Sequence, residues 1–232
     1  MKKDANILIG CEESQVVCSA FFELGFSNTF SCDLQDCSGG HPEWHLKMDV
    51  FEAIKKVKPK LFIGHPPCTY LSYAATSSWN NPGRLHKRLD ALAFFAKLWE
   101  APIEKICLEN PMGCASPTIA KFTQIIQPYY FGDTESKRTC LWLKNLPPLK
   151  HKKGDDLFET NTHTKPKIYG YYKKEGSKKF GMPIYGNNYL KFSEDRGKIR
   201  SVTFPEIATA MATQWGLGVL AVAPLTSKTN GA

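Results

Sequence analysis

LFIGHPPCTYL, residues 61–71, joins a short apolar run to two prolines and a cysteine. Its first four residues, LFIG, have the length and apolar character of a buried strand, and the two prolines that follow the histidine restrict the backbone. Cys68 comes directly after these prolines. In parallel α/β sheets, functional residues lie just beyond the carboxyl ends of the strands. Cys68 is therefore either a small apolar residue that fills space or a nucleophile, and the stretch alone favours neither.

Three other segments have the same form, because each is a short apolar run that ends in polar side chains. They are ANILIG (5–10), NTFSCDL (28–34) and KICLEN (105–110). The spacing of apolar residues between these segments predicts helices over residues 14–24, 49–57 and 84–100. This alternation predicts an α/β fold, a Rossmann-like, doubly wound, mostly parallel sheet with helices on both faces.

Individual residues mark the expected helix ends. Ser14 has the side chain of an N-cap for the first helix, and the Ser-Pro pair at 116–117 predicts a helix that runs to about residue 127. FPEIATAMATQWG predicts a last helix over residues 204–216 that ends at its final glycine. The helix over residues 84–100 should bury one apolar stripe. The members of this stripe are Leu85, Leu89, Leu92, Phe95, Ala96 and Trp99.

The composition predicts a globular cytoplasmic protein. Of the 232 residues, 42% are hydrophobic and 22% are charged, which is ordinary for a globular chain. No apolar run approaches the roughly 20 residues that cross a bilayer, and the amino terminus has no secretory signal, so we expect no membrane partner. For the same reason we expect the eight cysteines to be reduced thiols rather than disulfides.

Positive charge is concentrated in residues 144–200, which hold fourteen of the 30 Lys and Arg residues but only six of the 22 Asp and Glu residues. The rest of the chain is balanced, so this segment accounts for the net charge of +8. Clustered cations interleaved with tyrosines favour a nucleic-acid partner, and a lysine-rich solubilising surface is the alternative. The candidate nucleic-acid-binding residues are Lys173, Lys174, Lys178, Lys179 and Arg200.

A change of composition divides the chain into expected units. Residues 150–198 are rich in Lys, Gly, Tyr and Asn and show no helical period, so we expect a small irregular basic lobe. Residues 1–149 and 199–222 are expected to form the main domain. Residues 223–232 have the composition of a disordered tail.

Acidic residues at strand ends complete the candidate site. Glu109 ends the strand next to that of Cys68, and a carboxyl group there can hydrogen-bond the ring nitrogen and exocyclic amine of a pyrimidine. Taken alone, Glu109 is more ordinarily a carboxylate that caps the following turn. Asp33 occupies the position of a ribose-binding acid in doubly wound folds. The chain has neither a GxGxxG fingerprint nor a P-loop, which argues against NAD and ATP.

A zinc site is a competing interpretation of the segment after the second strand. Cys32, Cys37, His41 and His45 have the spacing C-x4-C-x3-H-x3-H, which zinc tolerates. This spacing matches no common zinc module, and Asp33 lies inside it. We therefore predict no metal.

Seven segments, in order, resemble the motifs of the cytosine carbon-5 DNA methyltransferases, which use S-adenosyl-L-methionine. These segments are ILIGCEES, SCDL, MDV, GHPPCT, LENP, KRTCLWLKNLPPL and RSVTFPEIA. The resemblance covers about residues 6–216, and residues 150–198 occupy the position of a target-recognition region. It implies a class I methyltransferase domain that methylates carbon-5 of a flipped cytosine in DNA. It also implies a compact, solitary enzyme of the kind that bacteriophages encode.

The resemblance also implies roles for individual residues. Cys68 would attack carbon-6 of cytosine, Glu109 would engage ring nitrogen-3, and residues 69–82 would form a mobile loop that closes over the base. Lys137 or Arg138 is expected near the flipped nucleotide, and both stay candidates. The implied cofactor-binding residues are Gly10, Cys11, Glu12, Glu13, Ser14, Asp33, Leu34, Asp49, Val50 and Pro66.

Departures from the family pattern keep two alternatives open. The loop after the first strand reads CEES (11–14) where the family has a glycine-rich form, which favours a catalytically inactive nucleic-acid-binding or anti-defence protein. Pro111 replaces the usual Val after Glu-Asn, which stiffens the turn and keeps the carboxylate. A branch of the family that acts on transfer RNA shares PPC and ENx, so an RNA cytosine-5 methyltransferase is the second alternative. The sequence makes no prediction of the oligomeric state.

Overall fold

Short apolar strands alternate with helices along the chain, and this alternation builds a central sheet covered by helices. The computed structural model describes residues 4–151, 162–173, 175–176, 178–186 and 202–220. The strands of the central sheet are β1 (Ile7–Gly10), β2 (Thr29–Asp33), β3 (His45–Lys47), β4 (Leu61–Gly64), β5 (Lys105–Pro111), β6 (Gln124–Ile126) and β7 (Thr139–Lys144). The helices are α1 (Val16–Glu23), α2 (Val50–Val57), α3 (Arg84–Trp99), α4 (Ala115–Thr118) and α5 (Pro205–Leu220).

The central sheet has seven strands in the order β3-β2-β1-β4-β5-β7-β6. The strands β1 to β5 run parallel, and β7 lies antiparallel between β5 and β6. The chain therefore starts in the middle of the sheet and winds outward in both directions, with the strand order reversing between β1 and β4. This confirms the predicted fold class, a Rossmann-like, doubly wound, mostly parallel α/β sheet.

The carboxyl ends of the central strands lie at one edge of the sheet. Gly10 of β1 pairs with Cys32 of β2 and with Gly64 of β4, and Gly64 pairs with Leu108 of β5. Every residue of β1 and β4 is buried, because both faces of the sheet are covered, and this explains why these strands are continuous apolar runs. The segments that follow β1, β2, β4 and β5 therefore meet at this edge, as their polar sequences predict.

Each face of the sheet has its own hydrophobic core. Helices α1 and α5 pack on one face, where Phe21 and Trp215 are buried. Helices α2 and α3 cover the other face, where Phe62, Phe95 and Trp142 are buried. Because each large apolar side chain contributes about 1.5–3 kcal/mol when fully buried, these two cores give the sheet edge a rigid support.

The predicted start of α1 needs correction. The N-cap is Gln15, whose backbone is left-handed with φ 59°, and not Ser14. The carboxylate of Glu12 accepts hydrogen bonds from the backbone N–H groups of Val17 and Cys18. A glutamate before the helix therefore satisfies the donors that a serine cap would otherwise take.

The apolar stripe predicted for α3 is wrong in its first half. Leu85 and Leu89 are 57% and 53% exposed, whereas Phe95 is fully buried. The first half of α3 instead contacts the loop that follows β4, through the side chains of Arg84 and Arg88. The first half of α3 contacts this loop through its arginines rather than the sheet through its leucines, so these leucines stay exposed.

The helix predicted from residue 116 ends at Thr118, so α4 has only four residues. The backbone N–H of Thr123 donates to the carbonyl oxygen of Leu141 at 2.8 Å, and β6 pairs with β7 immediately afterwards. Strand pairing therefore replaces the helix that the Ser-Pro signal predicted. The last helix is longer than predicted, because α5 continues to Leu220 and contains Gly216 in its interior.

The basic lobe contains a regular element, the antiparallel hairpin of β8 (Ile168–Tyr171) and β9 (Pro183–Tyr185). Residues 152–161 and 187–201, and the tail 223–232, lie outside the described residues. The expected unit limits at residues 149, 198 and 222 therefore stay predictions. Within the described part of the chain, no helix is both long enough and apolar enough to cross a membrane.

Candidate active site

The loop after β4 presents Cys68 at the carboxyl edge of the sheet. Cys68 is exposed, and its carbonyl oxygen accepts hydrogen bonds from the backbone N–H groups of Leu71 (3.1 Å) and Ser72 (2.9 Å). Pro66 is buried, and its carbonyl oxygen accepts a hydrogen bond of 2.7 Å from Nδ2 of the buried Asn110. This bond ties the turn that carries Cys68 to the end of β5.

Backbone contacts make a second connection between the two loops. Ser72 and Gly113 form an antiparallel bridge, and the N–H of Cys114 donates to the carbonyl oxygen of Leu71 at 2.9 Å. A Cβ atom on Gly113 would lie 2.0 Å from that same oxygen. Only glycine permits such an approach, so the loops after β4 and β5 are held together as one unit, which we call the β4–β5 corner.

Glu109, at the end of β5, lies in a nearly closed environment beside an imidazole. His65 Nδ1 is 3.1 Å from Glu109 Oε2, and the two side chains are 8% and 14% exposed. Burial raises the pKa of Glu109, but the hydrogen bond from His65, the charge of Lys137 and a hydrogen bond from Thr139 outweigh burial and lower the pKa below its ordinary value. Glu109 is therefore a carboxylate at neutral pH, which accepts hydrogen bonds and does not donate them.

A small cavity beside Glu109 separates the two basic candidates. The cavity is lined by Glu109, Ile126, Lys137, Thr139, Thr203, Phe204, Ile207 and Met211. Lys137 Nζ donates to the carbonyl oxygen of Val202 at 3.4 Å. Arg138 is exposed, and its positive charge acts on Cys140. Burial raises the pKa of the Cys140 thiol to about 11, although the charge of Arg138 opposes this rise. The structure thus brings Lys137 to Glu109 and leaves Arg138 outside the cavity.

The loop after β1 turns a glutamate inward. Glu12 is buried, and its carboxylate accepts hydrogen bonds from the N–H groups of Val17 (2.6 Å) and Cys18 (3.3 Å). Burial raises the pKa of Glu12, and the charge of His65 and the two backbone bonds only partly oppose this rise. The side chain of Glu12 therefore builds the start of α1.

Two non-glycine residues supply the left-handed backbone of this loop. Cys11, directly after Gly10, has φ 58°, and Gln15 has φ 59°. Burial, followed by the negative charge of Asp33, raises the pKa of Cys11 to about 12, so its thiol stays protonated. Glu13 and Ser14, between them, are partly exposed. The loop thus adopts conformations that a glycine-rich sequence would reach more easily.

Gln15 is a site residue that sequence reasoning missed. Its side chain is fully buried and forms a pair of hydrogen bonds with the backbone of His41, from Nε2 to the carbonyl oxygen (2.7 Å) and from the N–H to Oε1 (3.0 Å). The N–H of Ser38 also donates to the carbonyl oxygen of Glu13. Residues 37–41 are therefore packed against the loop after β1, a contact that spacing along the chain does not encode.

The two acidic candidates on the β2 side differ in their partners. Asp33, at the end of β2, accepts a hydrogen bond of 3.0 Å from the N–H of Gln35, and Leu34 beside it is exposed. Asp49 is the N-cap of α2, and the side chain of Val50 is buried in the core. Asp33 and Leu34 thus offer a carboxylate and an apolar surface at the sheet edge, whereas Asp49 serves first as a helix cap.

Three of the four residues of the alternative zinc pattern make other contacts. Cys32 donates its S–H to the carbonyl oxygen of Met48, and the His45 ring hydrogen-bonds Ser31 Oγ and the carbonyl oxygen of Gln35. His41 stacks on Trp44 at 3.8 Å between ring centres. The described ranges contain no group of three or more His, Cys, Asp or Glu side chains that could hold a metal ion.

The loop after Cys68 is docked on α3. Arg84 Nη2 donates to the carbonyl oxygen of Thr69 at 2.9 Å. The Arg88 guanidinium lies 3.9 Å from the centre of the Trp79 ring and donates to the carbonyl oxygen of Trp79. These arginines, like His65 and Asn110, have no sequence signal of their own, because their role depends on how distant segments meet.

The β8–β9 hairpin carries apolar and basic side chains on its surface. Tyr171 and Phe180 are 54% and 56% exposed, and Lys179 Nζ lies 5.4 Å from the centre of the Tyr172 ring. Of the candidate nucleic-acid-binding residues, Lys173, Lys178 and Lys179 are described, whereas Lys174 and Arg200 lie outside the described residues.

The hairpin is anchored to the segment just before Lys137. The N–H of Lys167 donates to the carbonyl oxygen of Thr134 at 2.7 Å, and the hydroxyl of Tyr169 donates to Glu135. At Gly186, after β9, a Cβ atom would lie 2.1 Å from the carbonyl oxygen of Ser136. The hairpin is therefore adjacent to the Glu109 cavity.

Solved structures with a similar fold were found, whereas comparison with protein-family models and with curated proteins gave no match. The methyltransferase EhMeth of Entamoeba histolytica is 12% identical, with a TM-score of 0.46 and coverage of 71% of this chain and 58% of that chain. The S. pombe Dnmt2 methyltransferase is 16% identical, with a TM-score of 0.44 and coverage of 62% and 52%. A substituted Spodoptera frugiperda DNMT2 is 16% identical, with a TM-score of 0.40 and coverage of 71% and 58%. The chain thus spans between 52% and 58% of the length of these structures.

Proposed function

We propose that this protein is an S-adenosylmethionine-dependent DNA cytosine-5 methyltransferase in which Cys68 is the nucleophile. The observation that carries the proposal is the β4–β5 corner, where an exposed cysteine and a buried carboxylate are held on neighbouring strand ends by the bond from Asn110 to Pro66. A cysteine used only to fill space would be buried. A glutamate used only as a cap would not need His65 and Lys137 beside it.

The proposed reaction uses these groups in sequence. The Cys68 thiolate forms a bond to carbon-6 of a cytosine that has left the base stack, and the electrons of the 5,6 double bond move toward carbon-5. Ring nitrogen-3 takes a proton from solvent as the adduct forms, and Glu109, as a carboxylate, accepts hydrogen bonds from this N–H and from the exocyclic amine, which stabilises the adduct. Once carbon-5 has accepted the methyl group, loss of the carbon-5 proton and of the nitrogen-3 proton to solvent restores the ring double bonds and expels the Cys68 thiolate.

The residues at the sheet edge fit S-adenosylmethionine. Asp33 would hold the ribose hydroxyls, since its carboxylate keeps acceptor capacity beyond its one described bond, and the exposed Leu34 would contact the adenine ring. The backbone from Gly10 to Ser14 would line the remainder of the site. When bound there, S-adenosylmethionine supplies the methyl group that carbon-5 accepts.

We further propose that residues 150–198 bind the nucleic-acid substrate and that residues 1–149 and 199–222 form the catalytic domain. The exposed Tyr171 and Phe180 support this assignment, because aromatic side chains stack on bases. The lysines around the hairpin match the charge of phosphates. The contacts between the hairpin and residues 134–136, directly before Lys137, support the proposal that nucleic acid bound there would lie close to Glu109.

A covalent trap tests the proposal. The protein is incubated with S-adenosylmethionine and oligonucleotides that contain 5-fluorocytosine, as single-stranded DNA, double-stranded DNA and RNA in separate arms. We expect a denaturation-resistant adduct with DNA, because fluorine at carbon-5 cannot leave as a proton does. Cys68→Ser should form none and should lower methyl transfer by about 10⁴-fold or more, whereas the control Cys37→Ser should behave as wild type. An adduct with RNA alone would assign the alternative substrate, and no adduct in any arm would contradict the mechanism.

An inactive nucleic-acid-binding protein is the second candidate, and one observation favours it. The loop after β1 uses the Glu12 side chain to hold α1 and has two strained non-glycine residues where the family has glycines. Isothermal titration calorimetry with S-adenosylmethionine separates the two candidates. Saturable binding supports the enzyme, and nucleic-acid binding without any cofactor binding supports the inactive protein.

A further inference from the structure

His65 is a buried imidazole on the short link between β4 and Cys68. Its backbone N–H donates to the carbonyl oxygen of Gly10 at 2.9 Å, which fixes its place beside β1. Its ring Nδ1 is 3.1 Å from Oε2 of Glu109. The family resemblance and the sequence patterns give His65 no function, although its side chain is almost as buried as the core.

Charged groups from three elements act on His65 or on its partner Glu109. Glu109 contacts it from β5, and Glu12 is within electrostatic reach from the loop after β1. Lys137, from the segment before β7, acts on Glu109 as well. His65 Nε2 is buried and has no hydrogen-bond partner among the described residues. The bond from Nδ1 to Glu109 is therefore the described side-chain contact that orients the ring.

We propose that His65 is the positioning residue of Glu109: its Nδ1–H fixes one oxygen of the carboxylate and so sets the orientation of the group. This inference rests on the proposed function, because Glu109 is the group that would contact cytosine. A carboxylate whose orientation is set before the base arrives needs no reorganisation during the reaction. His65 acts through Glu109 and touches neither the base nor the cofactor.

Two substitutions separate the hydrogen bond from the space that the ring fills. His65→Asn keeps an N–H donor close to the position of Nδ1 but cannot become charged. His65→Ala removes both the donor and the ring. His86→Asn, on the exposed surface of α3, is the matched control for loss of a histidine elsewhere. Circular dichroism identifies the folded variants, and the Asn variant keeps the test available if the Ala variant does not fold.

The first measurement is independent of catalysis. The carboxyl carbon of Glu109 is titrated by ¹³C NMR in each variant, and its signal is assigned by its absence in Glu109→Gln. We expect the titration midpoint to move to higher pH in His65→Ala, to move less in His65→Asn, and to match wild type in His86→Asn, because His65 lowers the pKa of Glu109. A midpoint that does not move in either folded His65 variant overturns the proposal.

The second measurement uses methyl transfer to DNA. We expect kcat to fall about 100-fold in His65→Ala with little change in KM for S-adenosylmethionine, and partial rescue in His65→Asn. The acid limb of the kcat/KM profile should move to higher pH with the Glu109 midpoint. Equal kcat and an unshifted profile would also overturn the role. If wild type transfers no methyl group, the proposed function fails by itself, and the NMR titration still decides whether His65 controls Glu109.

Discussion

Two buried glutamates at one edge of the sheet are used in opposite ways. Burial raises the pKa of both carboxyl groups, but the partners of Glu109 reverse this effect and those of Glu12 do not. Glu109 contacts the His65 side chain and lies near Lys137, whereas the carboxylate of Glu12 accepts bonds from backbone N–H groups at the start of α1. The comparison distinguishes a carboxylate kept ionised beside a cavity from one that builds the scaffold.

The loops around the two glutamates also differ in whether their side chains are exposed or buried. The β4–β5 corner exposes Cys68 and fixes its position through buried contacts made by Asn110 and Gly113. The loop after β1 buries Glu12 and Gln15, and the side chains of these residues hydrogen-bond backbone groups within the protein. One loop therefore offers side chains to a ligand, and the other offers mainly its backbone.

The largest predicted effect is a difference in methyl-transfer rate between variants of the two glutamates. Glu109→Gln is expected to lower kcat for methyl transfer by about 10²–10³-fold, because the neutral amide cannot stabilise a protonated cytosine ring. Glu12→Gln keeps an oxygen acceptor for the backbone N–H groups and should lose far less. Rates at saturating labelled S-adenosylmethionine measure the difference. Equal losses would show that the comparison between the two residues is wrong.

The next prediction tests the backbone contact of the β4–β5 corner. Gly113→Ala should lower the free energy of unfolding by about 1–3 kcal/mol, because the new methyl group meets the carbonyl oxygen of Leu71. It should also lower kcat, since the Cys68 loop must shift. Gly25→Ala is the control, because Gly25 has φ 85° but open space around it. That control should cost stability without changing the kcat of the folded enzyme. Normal activity in Gly113→Ala would mean that the bridge does not position the loop.

The pH dependence of stability should have opposite signs for the two glutamates. The folded-state pKa of Glu109 is lowered, so its ionisation stabilises the protein above the unfolded pKa, and this contribution is lost as the pH falls through the folded value. The pKa of Glu12 is raised, so its ionisation opposes folding at neutral pH, and the penalty disappears on acidification.

Urea unfolding of the Gln variants measures these signs. At pH 7.5, Glu109→Gln should be less stable than wild type by about 1–3 kcal/mol, and Glu12→Gln should be at least as stable as wild type. The Glu12 difference should shrink as the pH falls from the raised folded-state pKa toward the ordinary glutamate pKa. The Glu109 difference should shrink only at lower pH, as the pH falls through its lowered folded-state pKa. Two differences of the same sign would contradict the assigned environments.

Sequence reasoning predicted the edge of the sheet better than the contacts across it. The strands at 7–10 and 61–64 are continuous apolar runs, so their burial and the position of Cys68 after β4 followed from composition and length. β3 and β6 were not predicted, because three-residue edge strands whose side chains are mostly exposed or half-buried are too short to show a clear period. Leu85 and Leu89 were placed in the core because helical spacing does not reveal whether a loop or a sheet lies beneath a helix.

Within the site, residue types at strand ends pointed to Cys68, Glu109 and Asp33. The partners of these residues did not follow, because His65 meets Glu109 across 44 positions of sequence. The choice between Lys137 and Arg138 was open for a similar reason, since adjacent residues on an irregular segment can point in either direction. Spacing within a motif carries no information on such contacts.

The smallest predicted effect concerns nucleic-acid binding by the lysines of the hairpin, compared with lysines elsewhere on the surface. Replacing Lys173, Lys174, Lys178 and Lys179 by Ala should weaken nucleic-acid binding. The slope of the logarithm of the binding constant against the logarithm of the salt concentration should become less steep, by up to about 0.9 for each lost phosphate contact. Fluorescence anisotropy at several salt concentrations measures the slope. Replacing Lys55, Lys56, Lys58 and Lys60, around α2, matches the charge change and should leave the slope unaltered. Equal slopes for the two sets would make the lobe a solubilising surface.

The attachment of the hairpin has a thermodynamic consequence. Thr134, Glu135 and Ser136 contact the hairpin, and the next residue, Lys137, lines the Glu109 cavity. A ligand that shifts the hairpin therefore also changes the free energy of placing Lys137 beside Glu109. By linkage, the effect is reciprocal, so a ligand that changes the position of Lys137 also changes the affinity of the hairpin by the same factor. Under the proposed function, these four consecutive residues would couple nucleic-acid binding at the hairpin to the electrostatic environment of Glu109.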